Sequence, residues 1–333
     1  MSVTQREVTE DEADIRLDRW FRRHFPDLTQ GVIQKLCRTG QVRVDGHRAE
    51  AATRLAAGQS VRIPPLPDPK AAEKPADAAP DPRVRAEMER MVLYRDDQII
   101  VLNKPSGLAT QGGPGITRHL DGMSRALATT PQDRPRLVHR LDRDTSGVLV
   151  VARSPGVAAK LAAAFRTRAV EKIYWAVVAG RPVPVEGRID LPLTRRDPKQ
   201  AGARGERIAV AEPGDKEATH AITDYRTLDH AARKLAWLEL RPLTGRTHQL
   251  RVHCAELGAP ILGDATYGEY RETGNSALVD GLSDQLHLHA RRLTLPHPAG
   301  GTLVVEADLP PHMAGTFRTL GFTAPAARPP QRG

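Results

Sequence analysis

The order of segments along the chain predicts an α+β protein in two parts. A small basic α/β unit comes first, then a larger unit built on a mixed, largely antiparallel β-sheet with flanking helices. Three observations carry this. Two short amphipathic helical patterns run straight into short strand-like runs within the first 63 residues. Residues 64–83 then hold seven prolines and five alanines with no periodic apolar pattern. Beyond them, apolar strand-like runs recur with only occasional helical stretches between. A length of 333 residues with 40% hydrophobic content suits two or three domains, each with its own core.

Each element has a local reason. Leu17, Trp20, Phe21, His24 and Phe25 stand at helical spacing, so a helix should end before Pro26. In the next helix Thr29 can cap the start, Ile33, Leu36 and Cys37 form the apolar stripe, and Gly40 can close the end in a left-handed conformation. Residues 42–44, the Asp45-Gly46 turn signal and residues 61–63 then predict a small β element packed on the two helices. A Pro/Ala-rich linker is expected over residues 65–87. The larger domain is expected over 88–318, with strands near 92–94 and 99–102 around Asp96-Asp97, and at 148–152, 173–178, 221–225 and 235–240. Helices are expected near 157–165 and 247–257. Residues 194–219 should form a long exposed loop or hairpin, and the tail at 323–333, rich in Pro and Ala, should be disordered.

Charge and cysteine usage narrow the function. A net charge of +9 favours a polyanionic partner, since each neutralised phosphate releases a counterion. The excess is concentrated early: between residues 16 and 62, ten Lys and Arg stand against four acids. Cys37 and Cys254 lie far apart without a CxxC, which excludes a disulfide framework or zinc ribbon and fits a reducing cytoplasm. The charged N-terminus lacks the apolar core of a signal peptide, and no run approaches the ~18 apolar residues of a membrane span. The expectation is a cytoplasmic protein with no membrane partner.

Four motifs carry chemistry. HRLDRDTSG, residues 139–147, places Asp142 in a loop entering an apolar strand, where a scaffold can aim it. LNKPSG, residues 102–107, runs into the glycine-rich QGGPG of 111–115, which no GK[ST] follows, so a phosphate-cradling P-loop is not indicated. KIY, residues 172–174, opens a strand. LTGRTHQLRVH, residues 243–253, turns at Gly245 into a helix that should bury Leu250, Cys254 and Leu257. His248 and His253 lack the spacing of a zinc pair, so no metal site is expected.

In this order the motifs resemble those of the RluA/RluC-type pseudouridine synthases. RLDRWF, the helix around residues 32–37 and GQVRVDG in residues 11–64 resemble an S4 RNA-binding domain. The likeness spans residues 11–310. It implies an enzyme that isomerises specific uridines to pseudouridine, most of all in large-subunit (23S) ribosomal RNA, with no cofactor. It further implies Asp142 as the catalytic nucleophile or base, Tyr174 against the target base, and Arg251 as ion-pair partner of Asp142. Arg140 would fill the space the base vacates. Lys104 and His139 would bind RNA or help to flip the base, Arg246, His248 and Gln249 would support the turn or contact RNA, and Arg16, Arg19, Lys35, Arg38 and Arg43 would bind RNA from the S4-like domain. A carboxylate suits such an isomerisation, and a fixed guanidinium keeps it ionised near apolar strands. The linked S4-like module and the glycine-rich loop favour the RluC branch over the shorter members that lack the module, with RluD-type specificity, also on large-subunit rRNA, left as the alternative. The expected partners are RNA and ribosome-assembly intermediates, met as a monomer. The alternative from another class is a non-catalytic S4-type RNA-binding or ribosome-assembly protein, which the presence of Asp142, Tyr174 and Arg251 disfavours.

Overall fold

The computed structural model describes residues 3–26, 28, 30–66, 81–113, 115–130, 134–196, 207–232, 234–268 and 279–333. The chain divides into two compact units, Met1–Ala79 and Pro80–Gly333.

The first unit contains β1 (Thr4–Glu7), α1 (Leu17–His24), α2 (Gln30–Arg38), β2 (Arg43–Val44), β3 (His47–Arg48) and β4 (Ser60–Ile63). The strands form an antiparallel sheet in the order β1-β4-β2-β3. Leu17, Trp20 and Phe21 of α1 pack on Ile33 and Leu36 of α2 and on Val42, Val44, Val61 and Ile63. Full burial of each such side chain stabilises by about 1.5–3 kcal/mol. Gly40 closes α2 at φ +69, and Asp45 and Gly46 make the β2–β3 turn at φ +49 and +79. The Thr29 cap lies outside the described residues. β1 precedes the expected start at residue 11: its TQRE sequence is exposed throughout, so it lacked the alternation that reveals a strand.

The second unit opens with α3 (Pro82–Met91), β5 (Val92–Arg95), β6 (Ile99–Lys104), α4 (Leu120–Met123), β7 (Arg136–Leu137), β8 (Ser146–Ala152), α5 (Pro155–Arg166), β9 (Glu171–Ala179) and β10 (Glu186–Asp190). It continues with β11 (Leu193–Arg196), β12 (Arg207–Val210), β13 (Ile222–Ala231), β14 (Leu235–Pro242), α6 (Gln249–Glu256), β15 (Leu288–Pro296), β16 (Thr302–Glu306), α7 (Pro311–Leu320) and β17 (Gln331–Arg332). The main sheet runs β10-β13-β14-β9-β15-β8-β6-β5, with β7 beside β8 and β16 and β17 beyond β15. Among the described pairings between these strands only β15 and β8 run parallel, at His289↔Ser146 and Ala290↔Gly147. β11 and β12 form the hairpin allowed for at 194–219.

Strand β8 is buried from end to end because both faces are covered. Val148 and Val150 pack with Val157 and Leu161 of α5, whereas Leu149 and Val151 pack with Met88 and Met91 of α3. Period-2 alternation thus feeds two cores, and the loop before β8 leaves a rigid base.

Two boundaries need correcting. Residues 82–87, assigned to the linker, belong to α3: Asp81 caps it by accepting from the Arg83 N–H at 2.8 Å, and Pro82 occupies the first turn. Proline there starts a helix instead of extending a linker. The tail is also ordered: Gln331 and Arg332 pair with Val304 and Leu303, and the Pro325 carbonyl accepts from buried Arg291 at 2.8 Å. Composition missed this because the partners are distant in sequence. Among the described residues, no helix is long and apolar enough to cross a membrane.

Candidate active site

Asp142 lies in the loop between β7 and β8, and its carbonyl accepts from the Thr145 N–H at 3.2 Å. The end of β6 and the segment after it grip that loop by its carbonyls. Thr110 Oγ1 donates to Leu141 O at 2.6 Å, Ser106 Oγ to Asp144 O at 2.8 Å, and Lys104 Nζ to Arg143 O at 2.9 Å. Lys104 also donates to Pro105 O and Leu108 O and is 0% exposed, so it cannot contact RNA as expected. Burial pushes its ammonium down to about 8, against the pull of Asp144 and Asp142. Gly147 follows at φ +110, where a Cβ would lie 2.2 Å from Ala290 O. Only glycine lets β15 come this close.

The TGRTHQLR segment faces this loop. Gln249 Oε1 accepts from Thr244 Oγ1 and the Arg246 N–H, and its Nε2 donates to Ile222 O and Thr223 Oγ1. Its amide therefore holds the turn. Arg246 Nε donates to His220 O at 3.0 Å. His248, at φ +52, sets Nε2 4.0 Å from Asp142 Oδ2 and Nδ1 2.9 Å from the Tyr267 hydroxyl. Arg251 does not pair with Asp142. It donates from Nε and Nη2 to Asp264 at 2.8 and 2.7 Å, because the Thr266 and Tyr267 N–H groups fix Asp264 directly before the guanidinium. Burial opposes charge on Arg251, but the hydrogen bonds and charge of Asp264, with the charge of Asp142, hold its pKa above the ordinary value.

Tyr174 of β9, Arg140, Asp142, His248 and Arg251 line one cleft of about 730 Å³. Burial and the charge of Asp142 push the Tyr174 phenol up, so it stays protonated and can donate a hydrogen bond but not act as a base. His139 stacks on Phe165 at 4.4 Å, and its Nε2 accepts from the Val150 N–H at 2.9 Å. Burial, with Lys172 nearby, lowers its pKa to about 3 and keeps it neutral. Asp264 and Tyr267 were missed in the sequence. Their signal was Gly263-Asp264-Ala265-Thr266-Tyr267-Gly268, in which both glycines sit where a Cβ would clash with backbone. Among the described residues no group of three His, Cys, Asp or Glu could hold a metal ion.

Within the first unit, Arg16 is paired with Asp18 at 2.9 Å, and Arg43 donates to Gly46 O at 3.0 Å. Arg19, Lys35 and Arg38 are exposed. Arg16, Arg19 and Arg22 border a surface cleft of about 230 Å³.

A carboxylate on a clamped loop, a neutral tyrosine and a fixed guanidinium around a basic cleft suit isomerase chemistry on a nucleotide. Comparison gives the class: residues 98–256 match the RNA pseudouridylate synthase family, and the chain belongs to that family, whose members isomerise uridine in RNA. A ribosomal large subunit pseudouridine synthase C of Vibrio cholerae is 34% identical over 309 residues, covering 92% of this chain and 93% of that relative. The mitochondrial RNA pseudouridine synthase 4 of Arabidopsis thaliana is 36% identical over 377 residues, covering 91% and 78%. The solved human RNA pseudouridylate synthase domain containing 4 superposes with a TM-score of 0.59 at 29% identity, over 73% of this chain and 98% of that one.

Proposed function

We propose that the chain converts uridines of large-subunit ribosomal RNA to pseudouridine, with Asp142 as the catalytic residue. The observation that carries this is the position of the Asp142 carboxylate: it opens into the cleft beside Tyr174 and Arg251, on a loop whose backbone three side chains clamp. The reaction breaks the bond from ribose C1′ to uracil N1, turns the base and joins C1′ to C5, so every atom of the substrate is retained. Asp142 carries the ring system through cleavage and rejoining, and Tyr174 donates to the base or stacks on it. The uridine must leave its stack at a cost of about a few kcal/mol, and Arg140, exposed beside Asp142, fills the space left behind.

The first unit acts as an S4-type RNA-binding module over residues 11–64, a reading supported by its exposed Arg19, Lys35 and Arg38. The protein works as a cytoplasmic monomer on rRNA or assembly intermediates, the cytoplasm in keeping with two buried cysteines that form no disulfide with each other. The test incubates purified protein with unmodified large-subunit rRNA and maps pseudouridines at single-nucleotide resolution beside Asp142→Asn. New sites made by the wild type alone are expected, with RNA binding by the variant within a few-fold. Isomerisation by Asp142→Asn would overturn its role, and sites found only in other RNAs would overturn the substrate.

A further inference from the structure

Along the edge of the cleft where α5 gives way to β9 stand two cations without acids. Lys172 precedes Tyr174 by two residues on β9, so both side chains leave the same face of the strand and both line the cleft. Among the described residues its ammonium has one polar contact, with Thr244 O at 3.5 Å, the limit of a hydrogen bond. Neighbouring Glu171 is paired with Arg241. Burial depresses the Lys172 pKa, and the nearby charge of Arg168 depresses it further. Among the described residues neither cation has a carboxylate within ion-pair distance.

Arg168 stands out on backbone grounds too. It follows the α5 cap residue Thr167, and the Ala169 N–H returns to Ala164 O at 3.2 Å, which is the hydrogen bond of a Schellman motif. The residue at the left-handed position of that motif is usually glycine. Here it is Arg168 at φ +63, a conformation that side-chain-bearing residues adopt at a cost. A half-buried lysine without a counter-ion and an arginine where glycine would be more stable are hard to explain by folding alone. Two like charges held side by side at a cleft edge are stabilised by an anion between them.

We propose that Lys172 and Arg168 form a phosphate-binding subsite, which takes a backbone phosphodiester next to the uridine presented to Asp142. The inference rests on the reading of the cleft as the RNA site. A phosphate held at this edge fixes the nucleotide along β9, where Tyr174 meets the base, and discharges the repulsion between the two cations. Free-state stability has been exchanged for substrate binding at these two positions.

The experiment compares Arg168→Gly and Lys172→Met with the wild type in two ways. Thermal unfolding is followed without RNA, and equilibrium binding to an unmodified substrate RNA is followed across salt concentrations. A purely structural role predicts a lower Tm for Lys172→Met and an unaltered salt slope in both variants. The phosphate subsite predicts the reverse: Tm held or raised, by about 2–4 °C for Arg168→Gly, with binding weakened and the slope of log K against log salt shallower by roughly 0.7–0.9 per lost contact. Lys160→Met removes a charge from the exposed side of α5, outside the cleft lining, and controls for net charge. Variant slopes equal to wild type, or a change as large in the control, overturn the subsite. Isomerisation by the wild type is scored separately, so loss of the functional reading and loss of the subsite remain distinct results.

Discussion

Arg251 closes on Asp264, donating at 2.8 and 2.7 Å, while Asp142 faces His248 Nε2 at 4.0 Å. The arrangement separates two jobs that a direct Arg251–Asp142 pair would combine. Asp264 has no exposed side-chain surface and locks the guanidinium in place. Asp142 keeps 24% of its side chain exposed in the cleft and still feels the fixed positive charge. A bidentate pair with Arg251 would have occupied both of its oxygens.

Asp264→Asn should therefore damage catalysis without touching substrate. Breaking one partner of a buried pair costs about 3–5 kcal/mol, and the released guanidinium should lower kcat on the order of 10²-fold through misplacement near Asp142. Single-turnover rates and urea unfolding measure the two effects. A folded variant with unchanged kcat would show that the pair serves stability alone.

Gly147→Ala should fail for a backbone reason. Its Cβ would lie 2.2 Å from Ala290 O and 2.7 Å from Ala290 N, at φ +110, in the single parallel contact described between β8 and β15. Strain and overpacking together should cost about 2–4 kcal/mol. Chemical denaturation gives the number, and a variant as stable as wild type would contradict the close approach.

Replacing Arg19, Lys35 and Arg38 together with glutamine should weaken RNA binding evenly across sequences. Each lost phosphate contact should make the salt slope shallower by roughly 0.7–0.9. Because these side chains belong to the first unit and not to the cleft, kcat at saturating RNA should hold. An unchanged slope would remove the RNA-binding role from this surface.

Local chemistry was legible in the sequence where it is self-contained. The α1 stripe, the Gly40 cap and the Asp45-Gly46 turn all stand as expected, since each depends on residues a few positions apart. What escaped depends on distant partners. β1 has no apolar face to betray it, and β17 exists because β16 offers an edge. In the cleft, Asp142, Tyr174 and Arg251 were found by motif and do line one cavity. The partner of Arg251 was misassigned because an arginine names no acid until the fold chooses between Asp142 and Asp264. Lys104 was assigned to RNA from its motif, yet three inward carbonyls claim all its protons.

Those three protons give Lys104 a pH signature. As an ammonium it donates to Pro105 O at 3.0 Å, Leu108 O at 2.8 Å and Arg143 O at 2.9 Å, the last one residue beyond Asp142. As a neutral amine it has two hydrogens, and one carbonyl must lose its donor. Burial places this change at about 8 in the folded chain, against 10.5 for an ordinary lysine. Between those values the unfolded chain binds more protons than the folded one, so stability rises with pH: the penalty of burying the charge is present below about 8 and is relieved towards 10.5. Activity should move the other way, because the loop that carries Asp142 loosens as the third donor is lost. Wild type should therefore gain stability relative to Lys104→Met from pH 8 to 10 while its kcat falls towards that of the variant. Uracil N3–H ionisation is common to both enzymes, so the difference between their profiles reports Lys104. Parallel kcat profiles, or a stability gap that does not change with pH, would place the titration elsewhere.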